Sequence, residues 1–588
     1  MRVLVLNMIP LESLVECWRP QRWERNYRQI SNRCHAHGQG SARVTIQRTA
    51  VVSLQKGNQK QQTRTLIIWT SENRDDKLRQ LHTRFPVLRI KSMIFDLLDN
   101  GSPSRVAVAV SGGGPSLTYE RLRRQVEALA GELRSLGLGL GDRIAMALPN
   151  GLELIASFLA ASVVGTAAPL NPAYRVDEFK FYLEDTGARA LILPPGGAEE
   201  ARTATGENVL VIEAAIDGEG QVHLSAAKTV GPRRTDESPD SEDTALVLHT
   251  SGTTSRPKRV PLSHSNLMIS ARNVAATYRL TEADVSLCVM PLFHVHGLVA
   301  STLATLSTGG TVVVPPKFNP LTFWATVTEH RVSWYSAVPT IHQVLLARSK
   351  SGTRPAGAEH LRFIRSCSAS LAPATMAGME ERFGVPVLEA YGMTEAAHQM
   401  ASNPLPPRAR KPGSVGSGTA VEIAILTEKG DVLPAGTVGE VSIKGPNVFG
   451  GYEGNAEANA ASFSSGWFRT GDQGYLDGDG YLILVGRIKE LINRGGEKIS
   501  PREIDEVLLT HPAVAEACCF GIEDRVYGEE VAAAVVLSGP ATEAELKAHC
   551  SASLSDFKCP KVIYVVEAIP RTATGKIQRR NVAAEIAK

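Results

Sequence analysis

Directly after the apolar run Leu246-Val247-Leu248-His249, the chain reads Thr250-Ser251-Gly252-Thr253-Thr254-Ser255-Arg256-Pro257-Lys258. A strand that opens into a loop of hydroxyls and glycine with a lysine at its end suits a polyphosphate. Glycine lets the backbone approach closely, hydroxyls and N–H groups donate hydrogen bonds, and the ammonium supplies charge. The loop is not a Walker A sequence, which needs Gly before the Lys and Ser or Thr after it, because Pro257 precedes Lys258 and Arg259 follows. A P-loop kinase or NTPase is therefore disfavoured. The alternative reading of the loop is a Ser/Thr/Gly surface turn.

The elements that would position this loop alternate strand and helix from about residue 93. Leu122, Val126, Leu129 and Leu133 share one helical face after Thr118-Tyr119, and a turn at Gly137–Gly141 leads into the apolar run Ile144–Leu148. A helix over Leu152–Val163 and a short strand at Ala167–Leu170 follow. Strand, helix and strand at this spacing predict βαβ units and a parallel sheet. The alternation recurs at 243–340 and 361–395, residues 411–487 hold more Gly and short β-like runs, and a smaller unit fills about 490–588. The expected fold is α/β, a large body with a small C-terminal α/β domain.

Composition fits that picture. With 588 residues, 43% hydrophobic, 21% charged, 51 Gly and 33 Pro, the chain has the make-up of a large globular, loop-rich protein, and it offers no run of about 18 apolar residues that would span a membrane. The formal charge of +3 is unevenly spread: residues 1–92 hold 17 Lys+Arg against 6 Asp+Glu, and the rest holds 46 against 54. A mildly acidic body has no broad footprint for nucleic acid, which needs clustered cations. Only the leader, with Arg19, Arg22, Arg25, Arg28 and Arg33 interleaved with Trp18, Trp23 and Tyr27, could supply one or act as a transit peptide. The blander reading is an unstructured leader outside the fold, or upstream sequence with Met93 as the working start. Eight Cys without CxxC spacing make no disulfide framework, so reducing cytosol is the expected location.

The phosphate-type loop and four ordered segments resemble the acyl-activating, adenylate-forming superfamily of acyl-CoA synthetases. The segments are Tyr391-Gly392-Met393-Thr394-Glu395, Trp467-Phe468-Arg469-Thr470-Gly471-Asp472, Gly486-Arg487-Ile488-Lys489-Glu490, and Pro570-Arg571-Thr572-Ala573-Thr574-Gly575-Lys576. The resemblance implies a large AMP-binding domain at 93–488, a small mobile domain at 489–588, and ATP, CoA, Mg²⁺ and a carboxylic acid as reactants and cofactor. It also implies the roles. Thr250, Ser251, Gly252, Thr253, Thr254 and Lys258 would hold the pyrophosphate, Thr394 the α-phosphate, and Glu395 the metal. Asp472 would bind the ribose with Arg487 beside it, and Ser368, Ala369, Glu389, Ala390 and Tyr391 would frame the adenine. Lys576 would be the adenylation lysine and Lys489 the hinge. After rotation the segment Asn493–Lys498, with Gly495, Gly496 and Lys498, would face the site, and Lys317 would meet a CoA phosphate.

The acid is a matter of the acyl pocket. Pro291–Gly297 holds His294, a catalytic candidate, and places a second His, His296, where aryl and fatty-acid members carry Tyr or an apolar residue, Ser366–Ser370 replaces a Gly/Ala/Pro-rich turn, and Thr394–His398 adds His398. Burying His and Ser without partners costs about 1–3 kcal/mol each, so such walls suit a short polar acid. Imidazole N–H of His296 and His398 and the Ser368 hydroxyl can donate to a distal carboxylate. Ser255 in the loop, the PLFHVHG and LRFIRSCSASLAP segments and GRIKELINRGGEKISP resemble the oxalate-CoA ligase branch, with malonate or another short dicarboxylate as the alternative. Arg259 departs from the Gly that usually follows the loop Lys. The last residues, Glu585-Ile586-Ala587-Lys588, do not form an SKL-type address, and the chain is expected to be a monomer or weak oligomer that binds no nucleic acid and no membrane. A chain starting at Met93 is expected to keep full ligase kinetics; salt-sensitive nucleic-acid binding by the whole chain but not by the shortened one would support the basic-arm reading instead.

Overall fold

The computed structural model describes residues 51–52, 66–67, 93–233, 237–250, 257–349, 352–572 and 576–586. The chain divides into two units, Met1–Ile90 and Lys91–Lys588. In the first, the described residues form one antiparallel pair, Val51–Val52 with Leu66–Ile67, and the Arg/Trp run of the leader lies outside the described residues.

The second unit begins with βαβ units as expected. Strand Arg143–Met146, helix Leu152–Val164 and strand Thr166–Pro169 follow one another, and the two strands pair in parallel. Thr118 caps helix Tyr119–Ser135 by accepting from the Arg121 N–H, and Leu122, Val126, Leu129 and Leu133 of that helix are buried. Helix Leu152–Val164 is buried on nearly all sides, which its apolar make-up allows. These strands belong to a seven-stranded sheet in which Thr244–Thr250 pairs in parallel with Thr166–Pro169 and antiparallel with Lys258–Ser263.

The nine-stranded sheet positions most of the candidate site. Val106–Val110, Thr311–Val314, Val285–Leu287, Trp334–Ala337, Phe363–Ser366 and Val387–Met393 lie side by side in parallel, extended by antiparallel His398–Ser402. Parallel neighbours end on the same side, so the segments after Leu287, Ala337, Ser366 and Met393 gather at one rim. Open α/β sheets bind ligands there.

The Gly-rich stretch makes a five-stranded sheet that includes the antiparallel pair Trp467–Leu476 and Leu482–Arg487. The C-terminal stretch makes a second one, from Ile492–Arg494 to Val562–Val565, with its own apolar core around Ile504, Leu508, Val531 and Leu546. This is the small α/β part expected from the sequence. Among the described residues no helix is long and apolar enough to cross a membrane, and Cys288, Cys367, Cys518, Cys519, Cys550 and Cys559 are unpaired thiols.

Candidate active site

Asp472 and Arg487 face each other across the antiparallel pair, with Arg487 Nε 3.1 Å from Asp472 Oδ1. The Tyr391 hydroxyl, at the end of strand Val387–Met393, donates to the other Asp472 oxygen. Two residues beyond that strand lies buried Glu395, whose Oε1 accepts from the Tyr452 hydroxyl at 2.7 Å. Lys258 Nζ stands 4.3 Å over the Tyr452 ring. Burial raises the Glu395 carboxyl above its usual range, against the pull of Tyr452, Arg487 and Lys258. Burial lowers Lys258, which Glu395 opposes and Lys489 reinforces. Lys489 is thus close enough to Lys258 to be felt electrostatically.

Lys576 joins this set from the C-terminal part. Burial and then the Arg487 charge lower its pKa, while Cys367, Glu395 and Asp472 hold it up. Its own charge presses on His294, His296 and His398, so the ammonium is within electrostatic reach of both the carboxylates and the imidazoles.

The imidazole side is a hydrogen-bonded cluster. His296 Nδ1 lies 2.9 Å from Ser368 Oγ and its Nε2 lies 2.6 Å from Ser336 Oγ. Arg365, fully buried on strand Phe363–Ser366, donates to Ser336 Oγ at 2.9 Å, to His398 Nδ1 at 3.4 Å, to Gln399 Oε1 at 3.1 Å and to the Tyr278 hydroxyl at 2.9 Å. The His296 and His398 rings are 5.2 Å apart. Burial, reinforced by the neighbouring cations, depresses both histidines strongly and pushes His294 down to about 3, so all three are neutral at pH 7.

Local backbone supports the cluster. His296 opens a π-helical segment, His296–Leu303, a form found mostly at functional sites. Ser368, Ala397 and His398 have φ of 73°, 49° and 115°, left-handed values that cost L-residues strain and concentrate where a site demands them. Gly392 is required beside them, since a Cβ there would stand 2.1 Å from the His398 carbonyl oxygen.

The structure therefore brings together Lys258, Tyr391, Glu395, Asp472, Arg487, Lys489 and Lys576, with His294, His296, Ser368 and His398 adjoining. Thr394 and Ala390 are buried alongside them in the same chain segment. Glu389 Oε1 accepts the Leu371 N–H at 2.9 Å, which ties down the turn after Ser368; its other oxygen is buried without a partner. Ala369 is exposed. Thr250 and Lys258 are cross-strand partners, while Ser251, Gly252, Thr253 and Thr254 between them lie outside the described residues, as does Gly575. Lys317, Lys498, Gly495 and Gly496 share no hydrogen bond, ion pair or ring contact with the cluster, and both lysines are exposed.

One expectation changes. His296 has both ring nitrogens engaged by Ser336 and Ser368, so it has no free N–H for an acid and acts through Ser368. Sequence reasoning missed Arg365, Ser336 and Tyr452. For Arg365 the signal was present: a cation inside the short strand Phe363–Ser366, on the same face as Phe363 by the two-residue period.

The AMP-binding enzyme family profile matches residues 98–453, and the AMP-binding enzyme C-terminal domain profile matches 503–576. The chain belongs to the AMP-binding enzyme family. Among its relatives it is 49% identical over 492 residues to the oxalate–CoA ligase of Arabidopsis thaliana, covering 82% of this chain and 95% of that one. It is 47% identical to the oxalate–CoA ligase of Saccharomyces cerevisiae, over 76% of this chain and 87% of that one. In structure it resembles ATP-bound MatB from Rhodopseudomonas palustris, with a TM-score of 0.75 and 30% identity over 85% of this chain and 100% of that one. The family matches leave residues 1–97 outside.

The buried neutral histidines make stability pH-dependent. His264 is pushed down to about 4 and His294 and His342 to about 3, chiefly by burial, and His296 and His398 are depressed as well. Below pH 6.5 the unfolded chain takes up protons that the folded chain refuses, at about 1.4 kcal/mol per pH unit for each group. Glu389, pushed up to about 7, works the other way between its unfolded value of 4.5 and 7, offsetting about one histidine. Stability is expected to fall from pH 7.5 to 5.5, seen as a lower Tm in thermal melts; a flat or rising Tm would contradict the neutral cluster.

Proposed function

We propose that this chain is an ATP-dependent ligase that joins oxalate to CoA, with AMP and pyrophosphate as the other products. A carboxylate oxygen of the acid attacks the α-phosphorus of ATP and pyrophosphate leaves; the CoA thiol then attacks the acyl carbon and AMP leaves. The observation that carries the reading is a cluster of neutral imidazoles and serine hydroxyls within electrostatic reach of Lys576, which suits a second carboxylate. The names of the two plant and yeast relatives support the choice of oxalate.

In this reading Asp472 accepts the ribose hydroxyls with Arg487 beside it. Tyr391, Glu389, Ala390, Ser368 and Ala369 frame the base, and Thr394 meets the α-phosphate. Thr250–Thr254 and Lys258 take the pyrophosphate. Lys576 meets charge that develops between the acyl group and the α-phosphate, where a preorganised cation in a water-poor site is most effective. His294, Ser368 and His398 hold the distal carboxylate. Glu395, a buried carboxylate near Lys258 and Arg487, is the residue that would hold a Mg²⁺. Bound there, the ion would neutralise phosphate charge. The small domain, from Lys489 onward, then rotates to bring Gly495, Gly496 and Lys498 to the thiol path, with Lys317 at a CoA phosphate. The reaction is assigned to the cytoplasm and to a monomer or weak oligomer.

The test is acid-dependent AMP release with purified enzyme, ATP, CoA and a panel of oxalate, malonate, coumarate and octanoate. Oxalate is expected to have the highest kcat/KM; if malonate is used better, the chain is a malonate-type ligase, and if coumarate or octanoate is, the polar-pocket argument is wrong. Lys576→Ala is expected to slow oxalyl-AMP formation about 10²–10³-fold while preformed oxalyl-AMP still reacts with CoA at a near-normal rate, since the charge serves one transition state. Equal loss in both half-reactions, measured by single turnover, would show that Lys576 is not specific to adenylation.

A further inference from the structure

Arg365 is buried with 0% exposure, and no carboxylate pairs with it among the described residues. A buried cation held only by neutral acceptors is costly, which is tolerated where a ligand's charge completes the site. Its hydrogen bonds also have a forced direction, because guanidinium has donors and no acceptor.

One Nη2 bond ends on His398 Nδ1, so that neutral ring carries its proton on Nε2. The Nη1 bond ends on Ser336 Oγ, whose own hydrogen has one hydrogen-bonding neighbour left to it, His296 Nε2 at 2.6 Å. His296 then carries its proton on Nδ1 and donates it to Ser368 Oγ at 2.9 Å, leaving the Ser368 hydrogen free. The backbone N–H of His296 donates to His294 Nδ1 at 3.2 Å, which sets that ring to Nε2–H by the same logic. The chain thus ends in three donors, His294 Nε2–H, His398 Nε2–H and the Ser368 hydroxyl, and in no bare ring nitrogen. None of the three has a partner among the described residues.

We propose that Arg365 is a positioning residue for acid selection: through Ser336, His296 and His398 it sets the tautomers that turn the pocket into a donor-only cradle, and its uncompensated charge favours a dianionic acid over a monoanionic one. Without Arg365, His398 is free to take the other tautomer and present an acceptor to a carboxylate, and the Ser336–His296–Ser368 relay is free to reverse. The inference rests on the reading of this pocket as the site of the distal carboxylate.

The test compares Arg365→Gln and Ser336→Ala with the wild type, using oxalate and acetate as acids and ATP KM as control. Arg365→Gln is expected to raise the oxalate KM about 10–100-fold, the loss of a charge-assisted contact, and to lower the oxalate-to-acetate kcat/KM ratio at least tenfold, with ATP KM little changed. Arg365→Lys keeps charge but not the fork, and is expected to recover the ratio only in part. In ¹⁵N-histidine spectra, signals that vanish in His398→Ala should report Nε2–H in the wild type and shift in Arg365→Gln. An unchanged oxalate-to-acetate ratio, or equal loss for both acids, overturns the role of Arg365. Should Arg365→Gln fail to fold, Ser336→Ala, which cuts the relay and leaves the guanidinium, must lower the ratio, and an unaltered ratio there also overturns it. A wild-type enzyme that does not prefer oxalate to acetate sinks the proposed function itself, before either variant is made.

Discussion

An excess of positive charge in a desolvated cleft is the constraint around which the rest of this structure is arranged. Lys258, Arg365, Arg487 and Lys576 act on a set that holds two carboxylates, Glu395 and Asp472, with the intervening histidines forced neutral. Inside a protein such charges are weakly screened, and like charges raise the free energy of the empty site. An anionic ligand removes that cost. The reactants of the proposed reaction, a nucleotide polyphosphate and a dicarboxylate, carry charge of the sign that would match.

Holding those cations in place falls to the parallel sheet. Trp334–Ala337, Phe363–Ser366 and Val387–Met393 are adjacent, and their register puts Ser336 beside Arg365 and Ser366 beside Glu389. Hydrogen bonds across three strands lock side chains to within a fraction of an ångström more firmly than loops do, which is what a tautomer-setting relay requires. The left-handed backbone at Ser368 and His398 shows where strain has been accepted in return for aiming a side chain.

The C-terminal part is tied to the body by few polar contacts. Ser500 Oγ donates to the Val485 carbonyl at 2.6 Å and Arg502 to the Leu484 carbonyl at 2.9 Å. Within the small part Arg579 pairs with Asp505 at 2.5 Å and with Glu490 at 3.4 Å, linking the helix that follows Lys576 to the residue next to hinge Lys489. If the small domain turns at Lys489 as proposed, these pairs would carry the helix after Lys576 with it. Each cross-tie is worth only about 1 kcal/mol net, which is compatible with the proposed rotation of the small domain.

The resemblance of five ordered motifs to the adenylate-forming superfamily singled out Lys258, Glu395, Asp472, Arg487 and Lys576 in the sequence, and the folded chain brings these five into one neighbourhood. The α/β class and the first strand, helix and strand were legible too, since side-chain period reports which faces are buried. What only the tertiary structure decided is how polar groups pair. His296 looked like a donor to the acid, yet Ser336 and Ser368 use both its nitrogens. Arg365 looked like one cation in a strand, yet strands far apart in sequence cover it and leave it uncharged partners alone. Local sequence sets which groups a residue carries; burial and hydrogen-bond direction are set by neighbours 29 to 87 positions away, from Ser336 and His398 to Tyr278, and only the folded sheet brings those together.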